Sequence, residues 1–475
     1  MQFKKLLLIS ALSACMAYTV TACSDTTSSS AASLQAQYQA NRLTKERLQE
    51  WINGLQVAFP LYNITLQSYE DKGNDLSLAT VAISMGQPAS QRDSADNGIY
   101  VSTLVKLNIE HGVKVENNVQ SIARIDYEME IDDASSPELL EFKSVILEIL
   151  EKAQAGSENL AIIQPNGEFY STTKSIQAFD WSKEDFKLTI PSYNSELQTY
   201  DGRKLVSSQV QIPSMTVENT LGNRRVVLYD IQATSKDRPI RDAVYDLNGQ
   251  VKATIGKMEV FEDEKNLMTL EGFEYTENAK VDANGLMSAQ FGMKFSGQED
   301  FSKKMQVTQS TQGVRFQFDM TGQMKNLPAD KYIAISQNMI NNPEAWMDEG
   351  SLLSDVTELL AHGPQLDIEK LTVTLNGHQG EGALKMALPP LADSDKSLPL
   401  TLLLLSKLDA EGRARIPVEW FELAEPDKQK REELIVGLLM GFSGYIERQD
   451  NYLVSSFSYK GGEMLVNGRP FNFMR

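Results

Sequence analysis

Cysteine is nearly missing from this chain. Only two occur among 475 residues, Cys15 and Cys23, and both lie close to the N-terminus. A domain built from the rest of the chain therefore has no internal disulfide and no thiol chemistry, even in an oxidising compartment.

Histidine is almost as scarce, with three residues. The neighbouring residues predict a hairpin turn at Glu110-His111-Gly112, a helix end at His362 and a glycine-flanked turn at His378. A structural zinc site needs about four clustered ligands, usually including Cys or paired His. We therefore predict solvated histidines and no metal or other cofactor.

Positive charge is also in deficit, because 45 Lys and Arg face 64 Asp and Glu, for a net charge of −19 at pH 7. Such a surface repels phosphate backbones, so nucleic acid is not an expected partner. It also repels anionic lipid headgroups. Any attachment to a membrane must then come from another part of the chain.

Long apolar runs are missing everywhere except at the N-terminus. The run 6–22 covers 17 residues, follows Lys4 and Lys5, and precedes every acidic residue. This layout is typical of a secretory signal peptide, and the run is at the low limit for a transmembrane helix. The stretch 398–405 is too short to span a bilayer, and we expect a buried strand or helix there.

A lipidation motif closes the apolar run. Val20-Thr21-Ala22-Cys23 resembles the lipobox of bacterial lipoproteins, which would make Cys23 the acylated first residue of the mature chain. A second match ends at Cys15, and an uncleaved anchor is the third alternative. We prefer Cys23 because the Ser/Thr/Ala-rich stretch 24–33 follows it as a flexible tether. Ser24, which is not Asp, favours the outer over the inner membrane.

Beyond the tether, alternating apolar and polar residues predict an α+β fold. The expected architecture is a large curled antiparallel sheet with a few covering helices, since period-two patterns recur between Gly-containing turns. Almost everything from 160 to 325 indicates strands. Apolar positions at helical spacing predict helices over 34–58, 136–153, 328–341, 344–361 and from Pro426 to about Glu447.

Motifs that could carry catalysis or calcium binding fail on spacing. Gly441-Phe442-Ser443-Gly444 is one residue short of a hydrolase nucleophile elbow and falls within a predicted helix. Asp282-Ala283-Asn284-Gly285 lacks oxygen ligands at the first and twelfth positions of a calcium loop, so we interpret it as a β-turn.

Three segments together resemble the YdgA-like family of bacterial envelope proteins, whose function is unknown. They are Ile64-Thr65-Leu66-Gln67-Ser68-Tyr69-Glu70, then Pro364-Gln365-Leu366-Asp367-Ile368 with the glycines that follow, and the closing Ser458-Tyr459-Lys460-Gly461-Gly462 with Asn467-Gly468-Arg469-Pro470-Phe471. The resemblance implies one β-rich domain over 34–475, after a signal peptide at 1–22 and a lipidated tether at 23–33. It implies no catalytic residues.

Two functional classes follow from these observations. Rows such as Val314, Phe316, Phe318 and Met320 put large side chains on one strand face, as ordinary core or as an apolar groove. We predict a non-enzymatic binding or scaffold protein that faces the periplasm, anchored to the membrane by lipid. Its expected partners are lipid or another envelope protein. The alternative is an envelope hydrolase using carboxylates that the sequence does not identify.

Overall fold

The fold is that of a computed structural model of the chain. The structure describes residues 31–58, 63–85, 100–116, 119–133, 135, 148, 152, 155–167, 169–183, 185–200, 204–219, 221–239, 249–299, 313–332, 334–335, 357–395, 398–423 and 425–471. The predicted signal peptide and both cysteines lie outside these residues.

Strands dominate the described residues, which form a large open antiparallel sheet with a few helices, so the predicted α+β class is confirmed. The helices are α1 (Ala31–Asn41), α2 (Lys45–Ala58), α3 (Leu400–Lys407) and α4 (Lys428–Gly441), with a 3-10 helix at Val418–Leu423. The strands are β1 (Asn63–Gly73), β2 (Leu76–Met85), β3 (Val101–Glu116), β4 (Val119–Ile131), β5 (Ser157–Ile163), β6 (Phe169–Ser175), β7 (Phe179–Lys183), β8 (Phe186–Ile190), β9 (Asn194–Tyr200), β10 (Lys204–Asn219), β11 (Arg224–Pro239), β12 (Gly249–Glu262), β13 (Lys265–Val281), β14 (Leu286–Glu299), β15 (Val314–Pro328), β16 (Gln365–Leu375), β17 (His378–Ala387), β18 (Asp409–Pro417), β19 (Glu447–Gln449), β20 (Tyr452–Lys460), β21 (Glu463–Val466) and β22 (Arg469–Pro470).

The chain divides into two compact units. Unit 1 consists of Met1–Gly222, Val227–Ala253 and Ile333–Glu349. Unit 2 consists of Asn223–Val226, Thr254–Tyr332 and Gly350–Arg475. Strands β1 to β10 therefore belong to unit 1, and β13 to β22 belong to unit 2.

Unit 1 is an antiparallel sheet in which β1, β2, β3, β4, β5, β6, β9 and β10 are successive neighbours. Strand β10 also pairs with β8, which pairs with β7. Helices α1 and α2 pack on this sheet and enclose a buried cluster that includes Leu43, Trp51, Ile109, Ile122 and Ile163. Apolar residues at helical spacing thus meet the inward residues of the strands, and the sheet face is closed off from water.

The predicted helix over 34–58 is two helices. Residues 42–44 break it, because Leu43 turns fully into the core and the Thr44 hydroxyl accepts a hydrogen bond from the Arg47 backbone N–H at 3.3 Å. A threonine in this position is a favoured helix N-cap. The prediction of helix there was right, but its continuity was wrong.

The predicted turn at His111 was also wrong. Strand β3 continues through it to Glu116, with a register irregularity against β4 between His111 and Lys114. Gly112 has φ 129°, which allows the irregularity without ending the strand. His111 is therefore 4% exposed and not a solvated turn residue.

Unit 2 is an antiparallel sheet in which β13, β14, β15, β16, β17, β18, β20, β21 and β22 are successive neighbours. Its C-terminal part carries a smaller buried cluster of Val418, Ile435 and Leu453. The terminal hairpin β20–β21 turns at Gly461-Gly462, as the sequence predicts.

The other helix predictions have mixed outcomes. Helix α4 begins at Lys428, capped by the Asp427 carboxylate, and ends at Gly441, so Glu447 lies in strand β19 instead. The apolar run 398–405 is mostly helix α3, but only Leu403 is fully buried while Leu402 and Leu405 are half exposed. Most of 136–153 and 344–361 and half of 328–341 lie outside the described residues, and residues 329–332 and 357–360 are helical, as predicted.

Candidate functional site

One face of the unit 2 sheet is apolar across seven neighbouring strands. A row of cross-strand partners runs from β13 to β20 through Tyr275, Met293, Met320, Leu371, Gly382, Ala414 and Ser455. The adjacent row of the same face contains Phe295, Phe318, Val373 and Gly380. Side chains two residues apart along a strand share a face, so the two rows form one continuous surface.

Aromatic rings concentrate on the part of this surface carried by β13 to β16, which we call the aromatic face. The Phe295 ring stacks on Phe318 at 5.0 Å between centroids and lies 6.2 Å from Phe316, edge to face. Phe273 lies 6.4 Å from Phe295 on the other side. The aromatic face consists of Phe273, Tyr275, Met293, Phe295, Phe316, Phe318, Met320, Leu371, Val373 and Leu375.

Every residue of the aromatic face is only half-buried. Glu277 lies beside it on β13, where the Tyr275 hydroxyl donates to the carboxylate at 2.6 Å. The predicted row Phe316, Phe318 and Met320 is therefore one face of a strand, as expected, and none of the three is fully buried.

Helical residues cover the same apolar surface farther along the sheet. The Trp420 ring lies against Gly380, and its indole N–H donates to the His378 carbonyl at 2.8 Å. Leu453 on β20 is buried in the cluster with Ile435 of α4. Among the described residues, β13 to β16 therefore form the less covered part of the surface.

Glycines opposite aromatic residues hold several rings flat on the sheet. Gly322 pairs with Phe291, Gly297 with Phe316, and Gly412 with Phe457. A Cβ at any of these glycines would overlap the partner ring. Rings that lie over glycine backbone in this way stabilise strands that glycine alone would weaken.

The opposite face of the unit 2 sheet is polar and laced with ion pairs. Lys294 lies 2.9 Å from Glu274, and Lys370 bonds to Asp319. A cleft of about 630 Å³ on this face is lined by cross-strand neighbours that include Asp367, Lys385, Glu411 and Ser458. Its charges of both signs suit solvent contact better than an apolar ligand.

A hydroxyl–imidazole pair is present in unit 1, and no sequence motif signals it. Ser77 Oγ lies 3.1 Å from His111 Nε2, the distance expected of a nucleophile and its base. Ser77 is 0% exposed, however, and its Oγ also contacts the Tyr69 hydroxyl at 2.9 Å. A substrate could not reach this oxygen without unpacking the core, so the pair does not form a hydrolytic site.

Carboxyl groups with lowered pKa are spread over both units rather than gathered in one cleft. Hydrogen bonds from backbone N–H groups or from Lys and Arg lower the pKa of each: Glu46, Glu110, Asp282, Asp395, Asp427 and Glu432. A catalytic acid needs the opposite shift. These six groups act as caps, turn residues and ion-pair partners.

The remaining sequence candidates occupy turns and strand ends. His362 follows a short helix, and the exposed His378 begins β17. Ser443 lies in a turn after α4, not inside a helix as predicted. Asp282 accepts hydrogen bonds from Asn284 and Leu286 backbone N–H groups, which makes it the β-turn residue that we expected.

The described part of the chain has neither a cluster of metal ligands nor a helix that could span a membrane. Within the described ranges, no group of three or more His, Cys, Asp or Glu is placed to hold a metal ion. None of the helices described there has the length and apolar character required to cross a membrane. The lipidation candidates Cys23 and Cys15 precede the first described residue.

Comparison with known proteins gives one match. No curated protein and no solved structure shows significant similarity to the chain. Residues 30–474 match a family described as a bacterial protein of unknown function, DUF945. Because this match extends over both units, the chain belongs to that bacterial family of unknown function.

Proposed function

We propose that this chain is a lipid-anchored protein of the bacterial envelope, of the YdgA-like type, that faces the periplasm and binds an acyl chain on its aromatic face. In this role it is a binding protein, not an enzyme. The observation that carries the proposal is the partial exposure of every residue of the aromatic face.

Contiguous apolar surface is uncommon on a monomer and usually marks an interaction site. The aromatic face combines four stacked or edge-to-face phenylalanines with Met293 and Met320, whose flexible side chains adapt to irregular apolar ligands. Because the polar face carries the ion pairs, a hydrocarbon chain gains contact on only one side of the sheet.

The N-terminus supports an envelope location. A signal peptide over 1–22 and an acylated Cys23 would hold the protein at a membrane through more than one acyl chain, which stable anchoring requires. The net charge of −19 disfavours direct binding to anionic headgroups. Lipid would then reach the aromatic face as single molecules and not as part of a bilayer surface. Ser24 favours the outer membrane as the membrane that holds the anchor.

The proposal is tested with the full chain, expressed with its signal peptide and purified from envelopes in mild detergent. Non-covalent lipid is extracted and quantified by mass spectrometry for the wild type, Phe318→Asp and Gln317→Asp. Gln317 is exposed on the same strand, so its variant adds the same charge on the polar face. The N-terminal peptide of each sample shows whether Cys23 or Cys15 is acylated.

We expect the wild type and Gln317→Asp to retain lipid, and Phe318→Asp to lose it with its circular dichroism unchanged. Unfolding of Phe318→Asp would show that the face is ordinary core. Absence of lipid from the wild type, or equal lipid on all three proteins, would also contradict the proposal.

A further inference from the structure

A chain of buried and partly buried hydrogen bonds in unit 1 has no part in the proposed lipid binding. It joins Leu43, between α1 and α2, to strands β1, β2 and β3. The Tyr69 hydroxyl lies 3.0 Å from the Leu43 carbonyl oxygen and 2.9 Å from Ser77 Oγ. Ser77 Oγ lies 3.1 Å from His111 Nε2. Leu43 and Ser77 are 0% exposed and His111 is 4% exposed.

The direction of this chain follows from its two ends. The Leu43 carbonyl can only accept, so Tyr69 donates to it, Ser77 donates to Tyr69, and His111 donates from Nε2–H to Ser77. This arrangement satisfies every member except His111 Nδ1, which is buried without a hydrogen-bond partner among the described residues. The neutral Nε2–H tautomer therefore completes the chain, with Nδ1 left as a bare lone pair.

Charged groups around His111 come from the packed elements on each side. Arg42 follows α1, Asp71 lies on β1 and Asp75 lies in the β1–β2 turn, where its carboxylate accepts from the Tyr38 hydroxyl at 2.9 Å. Arg42 and Asp71 form an ion pair at 3.6 Å. On β4 the partner of His111 is Ala123, and on β3 itself Glu110 and Lys114 pair with each other.

Burial lowers the pKa of His111, and Arg42 lowers it further, while Asp71 and Asp75 oppose the shift. Protonation would put a charge and an unpaired Nδ1–H donor into the core. Both are costly there, because burial and Arg42 disfavour the charge more than Asp71 and Asp75 favour it, and the new Nδ1–H has no acceptor among the described residues.

We propose that protonation of His111 destabilises the packing of the α1–α2 helix pair on the unit 1 sheet, so that the pair is released more often as the pH falls. The hydrogen-bond chain Leu43–Tyr69–Ser77–His111, which we call the latch, keeps its bonds, and the closed state loses stability through the buried charge and the unpaired Nδ1–H. Because α1 directly follows the predicted lipid tether, release would lengthen the link between anchor and sheet.

The sign of the pH effect follows from the lowered pKa. Above about 6.5, the ordinary imidazole pKa, neither the closed nor the released state binds the proton. As the pH falls below that value, the released state takes up the proton first, so the closed state loses stability until the folded pKa is also passed. The released fraction rises by at most about tenfold per pH unit, because one proton is bound.

Nuclear magnetic resonance of the histidine-labelled full chain in detergent tests the tautomer and the pKa. The chain has only three histidines, so their imidazole signals can be separated in one spectrum. We expect the His111 imidazole in the Nε2–H form, with a pKa below the ordinary value of about 6.5. An ordinary pKa for His111, or a buried Nδ1–H form, would overturn the proposal.

Hydrogen exchange of residues 31–58, corrected for intrinsic rates, tests the release. Protection should fall between pH 7.5 and 5 in the wild type, while the hairpin β20–β21 stays unchanged. His111→Gln can still donate to Ser77 but cannot titrate, so its protection should not change over this range. An equal fall in protection in His111→Gln, or no fall in the wild type, would contradict the proposal. If the variant fails to fold, the magnetic resonance experiment on the wild type still tests it.

Discussion

The two units build the same kind of sheet and treat its apolar face differently. In unit 1, two helices close the face, and residues such as Ile109 and Ile122 are 0% exposed. In unit 2, the aromatic face has larger side chains and none of them is fully buried. Residue hydrophobicity alone therefore does not decide how deeply an apolar sheet face is buried, whereas packing of helices on that face, as α1 and α2 do in unit 1, does.

The largest difference between the units is expected in the unfolding free energy lost when one apolar side chain is truncated on the apolar face of each sheet. Ile122→Ala leaves a cavity in a closed core and should cost about 2–5 kcal/mol of unfolding free energy. Phe295→Ala removes a larger side chain from a half-buried surface, and we expect no more than about 2 kcal/mol. Hydrogen exchange in β4 and β14 at increasing urea reports each unit separately. Equal costs would show that the aromatic face is a second closed core.

A pair of glycine variants tests how tightly an aromatic ring packs over glycine backbone in unit 2. Gly412→Ala places a Cβ against the Phe457 ring and should cost about 1–3 kcal/mol. Gly437→Ala, in α4 with no atom within 4 Å of the new Cβ, should instead stabilise by about 0.5–1 kcal/mol. Thermal unfolding of both variants measures the difference. A neutral Gly412→Ala would mean that the ring moves aside freely.

Substitutions at the helix caps should change the unfolding free energy least. The cap in unit 1 should contribute equally at every pH, whereas the cap in unit 2 should depend on pH. Thr44→Ala removes a neutral cap in unit 1 and should cost about 0.5–2 kcal/mol at every pH. Asp427 caps α4 in unit 2, and the backbone N–H of Lys430 lowers its pKa. Its contribution is present above the unfolded pKa and is lost as the pH falls through the folded pKa. The matched variant Asp427→Asn keeps a cap, so its α4 hydrogen exchange should lose this pH dependence, and an unchanged dependence would assign it to another group.

Local patterns predicted the parts of the fold that depend on neighbouring residues. Alternation predicted strands such as β15, and the Asn284-Gly285 turn and the terminal hairpin follow from residues that favour left-handed backbone. The same local reasoning failed at His111, because a glycine beside it suggested a turn. Pairing of β3 with β4 resumes at Lys114, beyond the glycine, so the strand continues past it instead of turning.

The sequence predicted which residues of β15 lie on the aromatic face, but not how far these residues are exposed. Phe316 and Phe318 could be placed on one strand face from their spacing, and this is confirmed. Their contact with Phe295 and the pairing of Gly297 with Phe316 depend on the register between β14 and β15, which no local pattern specifies. The Ser77–His111 contact is likewise made by residues on separate strands.

The sequence by itself determined the strand-rich class, the acidic surface, the absence of disulfides beyond Cys23 and the prediction of a lipid anchor, since each depends on composition or on residues close in the chain. Only the tertiary structure decided which apolar face is covered and which histidine is buried. Both depend on contacts between residues far apart in sequence, where packing and desolvation outweigh local preference.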